Sequence, residues 1–320
     1  MCYLAFLGVQ AMRSAIRGTY DNPMTGNEAG LAAAFGGWRQ EGRTGRCQPA
    51  LLCEMMPAMG YGYSRGWRGL TIVVVPPVMG LLFRRQWQGM QHVPREGGLI
   101  VAANHISEAD PLLLCVYLHA CGRYPVFLAK SSLFDSRLVG RVVRGTGQIP
   151  VFRDAASAAA ALKPAEEALA AGQCLVVYPE GTCTRDPDLW PMTGQTGAAR
   201  LALSTGTPVL PMASWGAHQL LPYPKGEKGG LAGSLKPGFH PFPRKTGQVI
   251  AGPLVDLSRY QGEPLTASTL RAATADIMRD VAALVGQLRN ETPPAELYDH
   301  HKAIEQRRAA APGNPPAAGS

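Results

Sequence analysis

The sequence predicts an α/β fold in which a mostly buried mixed sheet is flanked by helices. The first observation is a series of short apolar runs, which are typical of buried strands. The second is that helical segments alternate with these runs, among them the alanine-rich stretch 154–171 and residues 196–204. The third is a late stretch, from Leu270 to Leu288, in which apolar residues recur with the period of one helix face. The predicted strands are Leu99–Ala103, Val126–Ala129, Cys174–Tyr178, Val209–Ala213 and Val249–Gly252.

The composition limits the classes of partner and cofactor. The 320-residue chain has a formal net charge of +8, so we expect anionic partners such as lipid headgroups or phosphorylated substrates. Only 7% of the residues are aromatic, and they do not alternate with basic residues, so no nucleic-acid partner is expected. The seven cysteines are scattered without a CxxC pair or zinc-type spacing, which predicts free thiols and no metal site. No nucleotide-binding loop is present, and no cofactor is expected.

A histidine followed five residues later by an aspartate comes just after the first predicted strand. In AANHISEADP, residues 102–111, Pro111 helps to start the next helix, so the chain can turn and bring Asp110 back to His105. A carboxylate that accepts a hydrogen bond from one imidazole nitrogen fixes the tautomer and raises the basicity of the other nitrogen. The pair is a candidate general base, and the alternative is an ordinary hydrogen-bonded loop histidine.

Three further blocks carry residues suited to ligand binding. YPEGTCTR, residues 178–185, follows another apolar strand and places Glu180 and backbone N–H groups at the carboxyl edge of the sheet, where α/β folds bind ligands. GQIPVFRD, residues 147–154, contains Arg153, whose forked guanidinium suits a phosphate. In TPVLPMA, residues 207–213, two prolines bracket a strand-like run.

These four blocks, in this order, resemble the glycerolipid acyltransferase family, which is typified by bacterial 1-acyl-glycerol-3-phosphate acyltransferases. The family pattern is NHxxxxD, an arginine-bearing second block, [FY]PEGT and a proline-flanked apolar strand. Here the blocks are residues 104–110, 149–153, 178–182 and 208–211. FLAKSSLF, residues 127–134, is also similar to the lysine segment that the family has between its first two blocks.

The resemblance implies transfer of a fatty acyl group from acyl-CoA or acyl carrier protein to the hydroxyl of a lysophospholipid, with phosphatidic acid formed from 1-acyl-glycerol 3-phosphate as the leading case. It implies that His105, oriented by Asp110, is the general base, and that no acyl-enzyme forms. It further implies that Arg153, assisted by Lys130, holds the phosphate of the acceptor. The residues implied in positioning the glycerol and the reacting groups are Glu180, Gly181 and Thr182.

Two departures from the family pattern concern the head group of the acceptor. The third block usually continues with Arg-Ser, whereas this chain has Cys183 and Thr184 before Arg185. A lysine that often precedes the next helix is replaced by Gln195. Both changes remove positive charge near the expected acceptor site, so another lipid acceptor or glycerol 3-phosphate is an alternative. Thioester hydrolysis and a catalytically silent lipid-binding role also stay open.

Residues 61–90 are expected to be a helical segment that associates with a membrane surface. Their apolar run, 69–83, is too short to span a bilayer, is interrupted by two prolines and has arginines on both sides. Such a segment fits the interface beside anionic lipid, in a peripheral or monotopic protein on the cytoplasmic face of the cell membrane. A buried core helix is the alternative. The remaining expected divisions are an extension that is disordered or precedes the true start codon at 1–60, the acyltransferase domain at 91–290 and a tail at 291–320.

Overall fold

The computed structural model describes residues 64–151, 162–223, 238–300 and 302–305. Within these ranges, seven strands form one mixed sheet with helices packed on both faces. The predicted α/β fold with a mostly buried mixed sheet is therefore confirmed. The predicted extension at 1–60 lies outside the described residues. So do residue 301 and residues 306–320 of the predicted tail.

The direction of the strands decides which residues meet at each edge of the sheet. The strands are β1 Phe83–Gln88, β2 Leu99–Ala103, β3 Pro125–Lys130, β4 Ile149–Val151, β5 Cys174–Val177, β6 Val209–Trp215 and β7 Lys245–Ala251, in the order β1-β7-β6-β2-β5-β3-β4. Strands β2 to β6 are mutually parallel, whereas β7 is antiparallel to β6, and β1 is parallel to β7. The carboxyl ends of β2, β5 and β6 therefore lie at the same edge as the amino ends of β1 and β7. We call this the site edge.

Helices cover both faces because successive strand residues point to opposite sides of the sheet. Among residues 64–300 as far as the structure describes them, the named α-helices are α1 Arg65–Leu82, α2 Asp110–Ala120, α3 Val139–Gly145, α4 Leu162–Ala170, α5 Gly197–Thr205, α6 Ala217–Leu220 and α7 Ala267–Arg289. Alternate residues of β2 enter two different cores: Val101 packs with α1 and α2, and Ile100 packs with α4, α5 and α7. The late helix predicted from the spacing of Leu270 to Leu288 is α7.

Two strands were not predicted, and each has a physical reason. Strand β1 has the sequence FRRQWQ, and its alternating exposed residues include Arg84, as expected for an edge strand with one solvated side. Strand β4 has only three residues, too few to show a period. The helical segment that we placed at 61–90 is correspondingly shorter in the structure, because α1 ends at Leu82 and the chain continues into β1.

Helix α1 contains Pro76 and Pro77, and it packs one side against the sheet through Met79 and other apolar residues. Its opposite side carries Val73 and Leu81, which are 49% and 75% exposed. Among the helices of the described residues, none combines the length and the apolar character needed to cross a membrane.

Candidate active site

The loop after β2 folds back on itself and joins His105 to Asp110. Nδ1 of His105 lies 3.0 Å from Oδ2 of Asp110, and the two side chains are 12% and 0% exposed. Asp110 is the first residue of α2, and Pro111 occupies the first turn, where its missing N–H costs no hydrogen bond. The predicted pair is thus brought together by a helix start, and Nε2 is left as the nitrogen that can accept a proton.

The carboxylate of Asp110 is fixed by further hydrogen bonds. Its Oδ2 accepts from the backbone N–H groups of Ile106 and Ser107, at 2.7 and 2.8 Å. Its Oδ1 accepts from the hydroxyl of Ser214, at 3.2 Å. A buried carboxylate needs such partners to remain ionised. Asp110 therefore presents a fixed negative charge to one side of the imidazole.

The electrostatic surroundings of His105 make it a stronger base than a free imidazole. Burial by itself lowers the pKa of His105, because it penalises the imidazolium form. The hydrogen bond and negative charge of Asp110 oppose this effect, and the charges of Glu108 and Glu180 add to them. The net pKa of His105 lies above its ordinary value.

Asn104 joins the His105 loop to the end of β6. Its side-chain amide donates to the backbone carbonyl of Ser214 at 3.1 Å, and its Oδ1 accepts from the backbone N–H of Ser214 at 2.8 Å. Asn104 is fully buried. Asn104 follows the last paired residue of β2, and its two side-chain bonds extend the hydrogen-bond ladder between β2 and β6. The neighbouring His105 is therefore held at a set distance from β6.

Glu180 holds the same loop from the side of β5. Its Oε1 accepts from the backbone N–H of His105, and its Oε2 accepts from that of Met192, both at 2.9 Å. Burial raises the pKa of Glu180 to about 8, although the two backbone N–H bonds favour the ionised form and oppose the shift. The structure therefore gives Glu180 a backbone-clamping position beside His105.

Tyr178 stacks on the imidazole of His105. The ring centroids are 4.2 Å apart and the planes are inclined by 20°. The phenol oxygen is buried and has no hydrogen-bond partner among the described residues, and burial raises the pKa of Tyr178 well above its ordinary value. Sequence reasoning did not assign a role to Tyr178, to Asn104 or to Ser214. The sequence around a neutral aromatic or amide residue does not indicate that its side chain will contact a distant histidine.

The turn after β5 carries the remaining predicted positions. Gly181 has a φ of +70° and donates its backbone N–H to the carbonyl of Tyr178, which closes the turn. Gly181 is exposed and Thr182 is half-buried. Two residues later, the backbone N–H of Thr184 donates to the carbonyl of His105 at 2.7 Å. The turn and the histidine loop are thus hydrogen-bonded to each other at the site edge.

Comparison with known proteins agrees with this geometry. Residues 84–215 match the family model described as Acyltransferase. A 1-acyl-sn-glycerol-3-phosphate acyltransferase of Borreliella burgdorferi is 34% identical over 131 residues, which are 41% of this chain and 50% of that protein. The predicted resemblance to the glycerolipid acyltransferase family is confirmed.

Two further proteins to which this chain is similar differ in the activity that their names give. A lyso-ornithine lipid O-acyltransferase of Rhodobacter capsulatus is 32% identical over 128 residues, 39% of this chain and 43% of that protein. The crystal structure of the 1-acyl-sn-glycerophosphate (LPA) acyltransferase PlsC from Thermotoga maritima shares 22% identity with a TM-score of 0.49, and covers 77% of this chain and 88% of that one. The chain spans about half the length of the two curated relatives.

Of the two basic residues that the family resemblance implies, the structure describes only Lys130. Lys130 ends β3 and is exposed, two strands away from β2, and it pairs in register with Val151 at the end of β4. Arg153 lies two residues beyond Val151, outside the described residues. Within the part of the chain that the structure describes, Lys130 has no hydrogen bond or ion pair with His105 or Asp110. The structure therefore does not bring Lys130 into the histidine cluster.

The cysteines on and directly after α2 and in the turn after β5 are not suited to act as nucleophiles. Burial raises the pKa of both Cys115 and Cys121 to about 12, and it raises the pKa of Cys183 further. Because the thiolate is the reactive form, the raised pKa values disfavour a role for these thiols as nucleophiles at neutral pH. The cysteines among the described residues are free, as predicted. None of these three thiols is therefore a candidate nucleophile.

Proposed function

We propose that this chain is an O-acyltransferase that moves a fatty acyl group from an acyl thioester to the hydroxyl of a lysophospholipid. The observation that carries the proposal is the 3.0 Å contact of His105 Nδ1 with the fixed carboxylate of Asp110. It makes His105 a base whose second nitrogen is free of that bond and lies at the site edge. The resemblance to the glycerolipid acyltransferase family supports the same chemistry.

In the proposed reaction, Nε2 of His105 takes the proton of the acceptor hydroxyl as its oxygen attacks the thioester carbonyl. A C–O bond forms and the C–S bond breaks, and the imidazolium returns the proton to the departing thiolate. Asp110 keeps the proton on Nδ1 and stabilises the imidazolium that forms between the two transfers. Either acyl-CoA or acyl carrier protein supplies the thioester in this scheme.

We propose 1-acyl-glycerol 3-phosphate as the acceptor, and phosphatidic acid as the product. The activity in the name of the Borreliella relative supports this choice. Arg153 is the proposed phosphate ligand, because the family resemblance implies this role and its forked guanidinium suits a phosphate. Lys130, exposed at the end of β3, adds positive charge around the phosphate.

A second candidate acceptor is a lysolipid whose head group carries no phosphate. It is favoured by Cys183, which is 1% exposed and stands where the family usually has an arginine. The activity in the name of the Rhodobacter relative, on a lyso-ornithine lipid, supports a wider range of acceptors in the family.

The histidine variant tests the reaction. We expect His105→Ala to slow acyl transfer about a thousandfold, since general-base catalysis contributes on that order. Acyl-CoA and acyl carrier protein donors are assayed in turn with labelled acyl chains. His92→Ala, at a half-buried histidine before β2, is the matched control and should leave the rate unchanged. Turnover of His105→Ala equal to that of the unaltered chain would contradict the proposal.

An acceptor panel distinguishes the candidates. Lysophosphatidate, other lysophospholipids, lyso-ornithine lipid and glycerol 3-phosphate are offered with the same donor. The main proposal expects lysophosphatidate to react fastest and Arg153→Ala to raise its KM. Release of free fatty acid at one rate with and without any acceptor would instead identify a thioesterase.

We further propose that the protein is peripheral or monotopic on the cytoplasmic face of the cell membrane. The supporting observation is the exposed side of α1, where Gly69, Val73, Pro77 and Leu81 follow one another at every fourth position. Arg65 and Arg84 stand at the two ends of this apolar stripe. An apolar helix side with terminal cations fits the interface of an anionic membrane.

A further inference from the structure

The two most exposed large apolar side chains of the described residues occur at the starts of neighbouring strands. Phe242 is 82% exposed and Leu81 is 75% exposed. Leu81 comes two residues before Phe83, and Phe242 comes three residues before Lys245. Phe83 and Lys245 are register partners in β1 and β7, and the Arg244 side chain donates to the carbonyl of Phe83 at 2.8 Å. Two separate segments of the chain therefore bring exposed apolar side chains to the place where β1 and β7 begin.

This place lies at the same edge of the sheet as His105. Trp215, the last residue of β6, pairs with Gln248 of the antiparallel strand β7. Lys245 therefore lies three residues beyond the carboxyl end of β6, on the side toward which β2 delivers His105. With about 3.4 Å per strand residue, the start of β7 projects roughly 10 Å past that end.

The surroundings of these apolar side chains are strongly basic. Arg84 and Arg244 are exposed, and Arg85 and Lys245 are partly exposed. Neither the segment 64–95 nor the segment 238–255 contains an Asp or a Glu. Exposed apolar groups next to cations, with no acidic neighbour in sequence, are complementary to the interface of an anionic bilayer.

The cations at this place also repel one another. The pKa of Arg85 is lowered from its ordinary value by burial and by the positive charge of Arg244. Arg85 is held there by a hydrogen bond to the carbonyl of Pro76 in α1. An anion between the two guanidinium groups would relieve the repulsion, which a neutral or cationic partner would not do.

We propose that Leu81, Phe242 and the basic residues beside them form a membrane-docking patch that seats the site edge on an anionic lipid bilayer. Phe242 and Leu81 enter the headgroup and acyl boundary, and Arg84, Arg244 and Lys245 contact the phosphates. Docking at this edge brings His105 toward the lipid surface. Docking through the apolar stripe on α1 alone would not determine which edge of the sheet faces the membrane. The inference rests on the proposed function, because the proposed acceptor is itself a lipid.

Binding to vesicles tests the patch without any acyl donor. Sedimentation measures how the full chain partitions to phosphatidylcholine vesicles with and without phosphatidylglycerol. We expect binding that depends on phosphatidylglycerol and weakens about tenfold in Phe242→Ala, because a buried aromatic side chain is lost. Leu81→Ala should weaken it by a smaller factor, and Arg244→Gln by about fivefold, the effect of one charge at an anionic surface.

Matched variants at the opposite edge are the controls. Leu254 is 45% exposed and precedes Val255, whose N–H donates to the carbonyl of Val209 at the start of β6. Leu254→Ala removes an exposed apolar side chain there, and Arg95→Gln removes one exposed charge before β2. Both should bind as the unaltered chain does, and circular dichroism should show all variants folded. Equal binding by Phe242→Ala and Leu254→Ala would overturn the proposal, as would binding that is indifferent to phosphatidylglycerol.

Two further measurements distinguish membrane docking from a contact between chains and from a failure of the proposed function. If Phe242→Ala dissociates a dimer in light scattering, the patch is a contact between copies of the chain and the proposal is wrong. With acyl donor present, Phe242→Ala should slow transfer to an acceptor in vesicles and spare transfer to a short-chain, monomeric acceptor. Intact vesicle binding by a chain that transfers no acyl group would refute the proposed function and leave the patch standing.

Discussion

His105 is held at three points by three different side chains. Asp110 bonds Nδ1, Tyr178 stacks on the ring and Glu180 accepts the backbone N–H. A base fixed in this way needs little reorganisation when it meets the acceptor hydroxyl, and such preorganisation is a large part of catalysis. The single-residue predictions concern what each of these neighbours contributes.

The charge of Glu108 should set part of the pH dependence of acyl transfer. This charge raises the pKa of His105, and only the neutral imidazole can accept a proton. Glu108→Gln removes the charge, so the pKa of His105 falls and the acid limb of the rate profile moves to lower pH. Glu263→Gln, at an exposed position, is the control and should leave the limb in place. If the acid limb of the rate profile lies at the same pH in Glu108→Gln and in the unaltered chain, His105 is not the titrating group.

The ring of Tyr178, rather than its hydroxyl, should matter for the rate. Tyr178→Leu loses the stack on His105, and we expect kcat to fall about twofold to tenfold, the usual value of an aromatic pair. Tyr178→Phe keeps the ring and removes a buried hydroxyl that has no partner among the described residues, so its rate should match that of the unaltered chain. Its melting temperature should be the same or slightly higher. A large loss of kcat in Tyr178→Phe would assign the hydroxyl a direct role instead.

At the scale of elements, the turn between β6 and α6 controls the space beside the site. Gly216 has a φ of +97°, and a Cβ placed on it would lie 2.0 Å from the carbonyl oxygen of Thr246 in β7. Helix α6 begins at Ala217, whose carbonyl accepts a long hydrogen bond from Ser107 in the histidine loop. A backbone shift at Gly216 is therefore passed to the loop that carries His105.

Two glycine variants separate the close contact from the backbone strain. Gly216→Ala introduces both, and we expect the free energy of unfolding to fall by about 3 kcal/mol or more. Gly262 has a similar φ of +81°, but none of the described atoms lies within 4 Å of its added Cβ. Gly262→Ala should therefore cost about 1 kcal/mol, from strain alone. Denaturant titration measures both values, and similar losses would mean that the Thr246 contact relaxes freely.

At the scale of the whole molecule, charge and sheet direction act together. The chain carries a net charge of +8, and the reversed strands β1 and β7 bring four of its cations to the site edge. A fully parallel sheet would have placed those cations at the opposite edge. The mixed sheet thus lets one edge combine a base, exposed apolar side chains and positive charge.

The rate on a membrane-bound acceptor should therefore depend on salt. Raising the ionic strength screens exposed charges beyond a Debye length, so acyl transfer to lysophosphatidate in anionic vesicles should fall several-fold. Transfer to the same acceptor in neutral vesicles serves as the control, and it should start lower and change less. A rate that is insensitive to salt in both would exclude a role for the surface cations.

Much of the fold was predictable because apolar runs and helix periods are local. The predicted strand over residues 99–103 and the amphipathic helix beginning near Leu270 agree with β2 and α7. Strand β1 was not predicted, since an edge strand with Arg84 and Arg85 has no apolar run. The α1 boundary at Leu82 was missed for the same reason.

By itself, the sequence determined that a histidine and an aspartate stand one turn apart at a helix start after a buried strand. That geometry is local, because five residues of chain and a proline suffice to close the contact. Only the tertiary structure decided that Asn104 meets Ser214, that Tyr178 covers His105, and that the segments carrying Leu81 and Phe242 lead into paired strands at the site edge. These pairs are separated by 73 to 161 positions in the chain. These contacts depend on the order and direction of the strands. Many sequences share the same strand order and direction, and no short motif specifies them.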